Sequence, residues 1–502
     1  MRHLLIIIQC CLLSLAGPAQ KNINEKLYST FLGDTVDYTV WVPSNGSAGQ
    51  QYTTIYTFSY GASDAAFTAE LIYYLNKLNI THLPPIIVVN IQADMDGIGY
   101  NYETGLLTTK GVRMLECIKS EIFPVLEHKY QASQFRIYMG QSYGASYGNH
   151  LFLFQPELFS GYMLFSPEKL TPTQPPFEIS DELIQFYGSR PTFYYLASGV
   201  DDLQRRQDYA GEIAQKVKRL DSIQFNFRYE NLPTAGHNNS TAIGLPSALD
   251  FIYRAYNSFP ELDSITSMST ALSQYEKRVT RFYGIKPEKN SFHIYQPFLS
   301  AIWQRIDTAW MRAAIHYFIS EKTGGRQLRD FAYSCWVVGL NEEARQLYGK
   351  AVKKILADEM SLVFSPSTLI TCYRELAFNI MKDNPENGWN LLQKALEVCL
   401  QHKGNIHISY YPDIYFYLGK FAADNNMNVK KGLNYLLLYV EKRKDLVDII
   451  HVAFDEVYYT IGKCYDLLHD TSNATKYLQK ALDLNASHGK AKSLMKKIQA
   501  DK

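Results

Sequence analysis

Between residues 27 and 258, short apolar runs alternate with longer stretches in which apolar residues recur every three or four positions. The runs Tyr38–Val42, Thr53–Ser59, Ile86–Ile91, Phe135–Met139, Tyr162–Phe165, Thr192–Ala197 and Gln224–Tyr229 read as strands. Ile86–Ile91 is Ile-Ile-Val-Val-Asn-Ile, a nearly continuous β-branched run of the kind that lies in a sheet covered on both faces. Helical spacing is predicted over 64–79, 109–127, 143–155, 203–220 and 246–257. Alternating strands and helices need crossover connections, so the expected fold is α/β, with a mostly parallel sheet covered by helices.

After about residue 259 the strand signal stops, and the rest reads as helices joined by short polar turns. Ala344, Tyr348 and Ala351 recur as Gly388, Leu392 and Ala395, as Gly432, Leu436 and Tyr439, and as Ala474, Leu478 and Ala481. Successive sets are offset by 44, 44 and 42 residues, and in each the outer pair are seven apart. Small residues at that spacing let one helix press closely on its neighbour. The last set, with Tyr458, Ile461, Gly462 and Tyr465 before it, resembles a tetratricopeptide repeat; the earlier sets are longer and more degenerate, and the alternative for the region is a generic helical bundle. The expected organisation is an α/β domain over 20–258, a helical linker over 259–300 and an all-α repeat domain over 301–502.

Composition changes this picture little. A net charge of +1 gives no electrostatic footprint for nucleic acid. The N-terminus adds more. Arg2 and His3 precede an apolar run from Leu4 to Ala16, then Gly17-Pro18-Ala19 with small residues at the right places for a cut after Ala19. This reads as a signal peptide over 1–19, too short to span a bilayer, and implies an exported protein, periplasmic or extracellular, with no membrane span. Beyond it lie Cys117, Cys335, Cys372, Cys399 and Cys464, an odd set without a CxxC spacing, which reads as small core residues and not as a disulfide framework.

The chemistry is concentrated after the strand Phe135–Met139, which runs into Gly140-Gln141-Ser142-Tyr143-Gly144 and then a helix. A serine on such a strand-to-helix turn is raised above the sheet edge, with glycines where strand and helix pass too closely for side chains. Gly144-Ala145-Ser146-Tyr147-Gly148 repeats the pattern one helical turn later, but Ser146 falls inside the helix, so Ser142 is the expected nucleophile and Ser146 a packing residue. The base must follow in the chain. His237, in Gly236-His237-Asn238 after the last strand, is the one histidine between 151 and 291; His150 sits on the nucleophile helix itself and cannot turn back. The acid should follow the strand Thr192–Ala197, where Gly199-Val200-Asp201-Asp202 offers two carboxylates. Asp202 is favoured, with Asp201 open and either able to cap the next helix. The oxyanion donors are expected from the Tyr143 amide and from Tyr60, Gly61 or Ala62 after the strand Thr53–Ser59. No HExxH and no glycine-rich phosphate loop occurs, so no metal or cofactor is expected.

These residues together resemble the esterase branch of α/β-hydrolases that holds enterochelin esterases, feruloyl esterases and S-formylglutathione hydrolase. The order strand, Gly-x-Ser-x-Gly, Gly-x-x-acid and Gly-His carries the resemblance, as do Phe159–Leu170 (FSGYMLFSPEKL) and Leu83–Ile91. Two departures stand out. Gln141-Ser142-Tyr143-Gly144-Ala145 replaces a His-Ser-x-Gly-Gly elbow, and Tyr60-Gly61 replaces an Asp-Gly pair. The resemblance implies a secreted serine carboxylic ester hydrolase of α/β-hydrolase fold, acting through an acyl-serine on a siderophore-, hydroxycinnamate- or acetyl-type ester. The alternative is a binding or scaffold protein that docks a protein partner, or itself, on the helical repeats.

Overall fold

A computed structural model describes residues 20–43, 50–58, 63–77, 83–93, 95–169, 171–172, 174–220, 222, 224–258, 267–287, 292–357, 366–380, 383–402, 410–443 and 452–500. The chain forms two compact units, residues 1–288 and 289–502.

The first unit is built on β1 (Gln20–Ser29), β2 (Asp34–Pro43), β3 (Tyr52–Phe58), β4 (Ile86–Ile91), the short hairpin β5 (Tyr100–Asn101) and β6 (Leu106–Leu107), β7 (Ala132–Gln141), β8 (Gly161–Phe165), β9 (Thr192–Gly199) and β10 (Phe225–Leu232). Eight of these make one sheet in the order β1-β2-β4-β3-β7-β8-β9-β10. From β4 to β10 every neighbouring pair is parallel, whereas β2 is antiparallel to both β1 and β4. This is the α/β-hydrolase arrangement. The residues explain the order: β3, β4, β8 and β9 are buried along their whole length, as strands covered by helices on both faces must be. The polar β1 (QKNINEKLYS) pairs only with β2, at the sheet edge.

Helices Ser63–Lys77, Thr109–Cys117, Phe123–Tyr130, Tyr143–Phe154, Asp181–Ser189, Gln204–Val217 and Ser240–Ile252 accompany the sheet. The last begins upstream of the residue 246 expected from sequence, with Pro246 inside it. A further helix, Met268–Tyr283, lies within the segment expected to be a linker, yet belongs to this unit. The Tyr283 ring stacks edge-on against Phe135 of β7, and its hydroxyl donates to Ile252 O at 2.8 Å.

The second unit is helical throughout its described residues. Gly325–Val337 packs on Asn341–Ala357, Pro366–Ile380 on Pro385–Gln401, Tyr410–Asn425 on Val429–Arg443, and Phe454–Leu467 on Thr471–Leu484. Asp307, Asn384 and Asp470 cap their helices by accepting from the N–H three residues on. Every member of the four recurring sets lies on the second helix of a pair and is buried. Small residues are used where expected: a Cβ on Gly432 would stand 2.4 Å from the Ala422 methyl, and one on Gly462 2.8 Å from Leu478. No described helix is long and apolar enough to cross a membrane. The five cysteines Cys117, Cys335, Cys372, Cys399 and Cys464 are all free and buried.

Candidate active site

Ser142 stands between the end of β7 and the first turn of the helix Tyr143–Phe154, with φ 55° and ψ −121°. A non-glycine residue held there stores of order 1–3 kcal/mol of strain, which the surroundings must impose. They do so through hydrogen bonds: the Ser142 amide donates to Phe165 O of β8 at 2.9 Å, and its carbonyl accepts from Ser146 N at 3.0 Å. The turn closes so tightly that a Cβ on Gly140 would lie 2.5 Å from the Gly144 backbone. The Tyr138 hydroxyl ties the same turn down by donating to Gly144 O at 2.7 Å.

Two further loops meet Ser142 at this sheet edge. At the end of β9, Gly199 lies so close to the loop following β10 that a Cβ would stand 2.0 Å from Ala235 O. The Asp201 amide donates to that same carbonyl at 3.0 Å. This contact sets the two loops against each other. His237 Nε2 lies 3.1 Å from Ser142 Oγ, and His237 Nδ1 lies 3.1 Å from Asp202 Oδ2. The Gln141 side-chain amide donates to the His237 carbonyl, and Ser240 Oγ donates to it at 3.1 Å. Ser142, His237 and Asp202 are thus brought together, while Asp201 is exposed.

The Asp202 carboxylate is 1% exposed. Burial pushes its pKa up, but hydrogen bonds from His237, from Arg206 and from the Leu203 amide outweigh that and hold it below the ordinary carboxylate value of 3.8. The Leu203 amide and Arg206 Nη1 both reach Oδ1, at 2.7 and 3.0 Å, leaving Oδ2 to the histidine. Arg206 also donates from Nη2 to Glu168 Oε2 at 2.8 Å, and Arg205 bonds Glu168 Oε1.

Sequence reasoning missed this group. Glu168 lies in the stretch Phe159–Leu170, where no neighbouring residue points to its partner; Arg206, four residues after Asp202 where a helix begins, was the visible hint. Ser146, read as a packing residue, is more than that. Its buried hydroxyl donates to Glu168 O at 2.6 Å and accepts from Glu168 N at 2.9 Å, fixing the backbone that carries the carboxylate. His150 packs against Tyr100 and Phe154.

Of the expected oxyanion donors, Tyr60, Gly61 and Ala62 lie outside the described residues. Tyr143, chosen for its amide, also offers its ring: it stacks on Tyr102 of the β5–β6 hairpin, with centroids 4.8 Å apart. That hairpin is held by Thr171 Oγ1 donating to Glu103 O at 2.8 Å and by the Gln174 side-chain amide donating to Tyr102 O.

A serine hydroxyl on a strained elbow, within reach of an imidazole whose far nitrogen faces a buried carboxylate, suits nucleophilic acyl chemistry. Fold and elbow together are those of the α/β-hydrolase class. Residues 29–241 match the model of the family described as "Putative esterase", a likeness that supports ester hydrolysis by the α/β unit. Similar solved structures include an uncharacterised protein from Capnocytophaga ochracea, at TM-score 0.47 and 13% identity over 66% of this chain and 94% of that one. An IroE-like serine hydrolase from Shewanella oneidensis gives TM-score 0.45 and 15% identity over 59% and 98%. The enterochelin esterase from Shigella flexneri gives TM-score 0.34 and 15% identity over 47% and 59%. Among curated protein sequences, none matches the chain.

Proposed function

We propose that the protein hydrolyses carboxylic esters through an acyl-serine intermediate, with Ser142 as nucleophile, His237 as general base and then acid, and Asp202 orienting the imidazole. The observation that carries this reading is the pair of 3.1 Å contacts joining Ser142 Oγ, His237 and Asp202 Oδ2. In the first half-reaction His237 Nε2 takes the Ser142 proton as Oγ attacks the ester carbonyl. The tetrahedral oxyanion is held by the Tyr143 amide and by a second donor from residues 60–62. Collapse expels the alcohol, protonated by His237. Water, deprotonated by the same nitrogen, then releases the acid and restores the serine.

The substrate belongs to the siderophore-, hydroxycinnamate- or acetyl-ester range; an aromatic group would pack on the half-buried Tyr102–Tyr143 stack, whose Tyr143 adjoins Ser142. The charged, apolar and small-residue pattern of residues 1–19 supports export, with a cut after Ala19. Two Asn-x-Ser/Thr triplets, at Asn238 and Asn239, adjoin His237, an arrangement that suits a bacterial source, where they carry no glycan. The helical unit, read as tetratricopeptide-like, would serve for docking a protein or for self-association.

Hydrolysis of a short-chain p-nitrophenyl ester by the wild type beside Ser142→Ala and Ser146→Ala tests the reading. Turnover by wild type and Ser146→Ala but not by Ser142→Ala is the expected result. Equal turnover by Ser142→Ala and wild type would remove Ser142 from the mechanism.

A further inference from the structure

Three ionic groups outside the proposed triad are linked to its acid through Arg206. Glu168, 2% exposed at its side chain, arrives on the segment after β8; Arg205 and Arg206 arrive on the first turn of the helix Gln204–Val217. Arg206, 14% exposed, spans two buried carboxylates at once, Asp202 at 3.0 Å and Glu168 at 2.8 Å. Removing one partner from such a buried group leaves an uncompensated charge, so the three side chains stand or fall together. The backbone of Glu168, which carries that carboxylate, is in turn fixed to the nucleophile helix by two bonds to the Ser146 hydroxyl. A continuous polar chain therefore runs from that helix, through Glu168 and Arg206, to the Asp202 oxygen that the histidine does not use.

We infer that Arg206, held by Glu168, is a positioning residue for ester hydrolysis: it locks the rotation of the Asp202 carboxylate and balances the charge behind the imidazole. The inference rests on the Ser142–His237–Asp202 reading. Loss of Arg206 frees Asp202 Oδ1 from its side-chain partner and leaves Glu168 and Asp202 as two buried negative charges. Both then favour the imidazolium, so more of the base is protonated at a given pH and the acid limb of kcat/KM moves up. Loss of the Glu168 charge does the opposite: Arg205 and Arg206 are left in excess, the imidazolium is disfavoured, and the limb moves down. The other charged or titratable groups of these loops include Lys169, which follows Glu168, Asp201, which is exposed, and Tyr143, whose hydroxyl feels Glu168 and both arginines. All of them are unchanged in the two variants.

The test is kcat, KM and the pH profile of kcat/KM for the full chain as wild type, Arg206→Met, Arg206→Lys, Glu168→Gln and Ser142→Ala, with thermal melts and labelling by a fluorophosphonate to count competent sites. Arg206→Met is expected to lose about 10–100-fold in kcat with KM within threefold, as an orienting contact does. Its acid limb should move up and that of Glu168→Gln down. Arg206→Lys keeps the charge without the fork, so its limb should stay near the wild-type position while kcat recovers only in part. Limbs that stay put or move the same way in Arg206→Met and Glu168→Gln would overturn the inference, as would Arg206→Met within threefold of wild type. If Arg206→Met fails to melt cooperatively, the sign of the Glu168→Gln limb alone decides. Should Ser142→Ala keep full turnover, the triad reading itself fails and the inference falls with it.

Discussion

The contact between Gly199 and Ala235 can be tested by adding a single methyl group. Gly199→Ala would place a Cβ 2.0 Å from Ala235 O, 2.5 Å from Ala235 C and 3.1 Å from its methyl. The first two neighbours are backbone, so no side-chain rotation relieves the clash. Reaching ordinary carbon–oxygen contact needs roughly 1 Å or more of movement, and it must come from one of the two loops. One loop carries Asp202 and the other His237, so either movement stretches their 3.1 Å bond or drags the imidazole from Ser142 Oγ. Misplacement by about 1 Å costs on the order of 10²-fold in rate, and overpacking of this kind about 1–3 kcal/mol in stability. The assay is ester hydrolysis under saturating substrate, corrected for folded protein by a thermal melt. A fall of about 10²-fold in kcat with a cooperative melt is expected. A folded variant within threefold of wild type would show that the two loops do not depend on each other for register, and the reasoning would be wrong.

Other outcomes follow from single residues. Asp202→Asn should fold and lose about 10³–10⁴-fold in kcat, because an amide favours the wrong histidine tautomer. The depressed Asp202 carboxyl stabilises the fold above its ordinary value of 3.8 and ceases to do so as pH falls through its lower folded value; the gap in melting temperature between wild type and Asp202→Asn should therefore narrow in acid. Burial drives His150 from 6.5 down to about 4, only partly opposed by the Gly105 backbone. The neutral ring's stability is present above 6.5 and lost as pH drops through about 4, so His150→Phe should melt with a flatter pH dependence across that window than wild type. In the helical unit, Leu478→Ala empties a fully buried site against Gly462 and should cost about 2–5 kcal/mol, read by chemical denaturation followed by circular dichroism.

The seven strands named from sequence are all present, because buried parallel strands such as β4 leave an unbroken β-branched run. β1 was missed for the converse reason. An edge strand needs only one apolar flank, and Asn22, Asn24, Glu25 and Lys26 hide it. The hairpin β5–β6 is two residues per strand, below what periodicity can register. The elbow was legible because its glycines mark backbone approach, and the meeting of Ser142, Asp202 and His237 because parallel strands bring their C-terminal ends to one sheet edge. The choice between Asp201 and Asp202 depends on which way one turn faces, which composition does not encode. The Glu168–Arg206 bridge joins positions 38 residues apart, and only the assembled sheet makes them neighbours.

The separation of partners along the chain also governs the order in which the molecule is built. In the helical unit each helix rests on the next, so loop closure is cheap and structure can form early. The first unit is the reverse: Ser142 and His237 are 95 residues apart, and their contact exists only once β7, β8, β9 and β10 are side by side. Recovery of turnover during refolding therefore reports completion of the central sheet, and helical signal will return before it. On the proposed mechanism, a chain stalled short of β10 would carry Ser142 without His237 beside it, so ester hydrolysis would be confined to molecules that have finished folding.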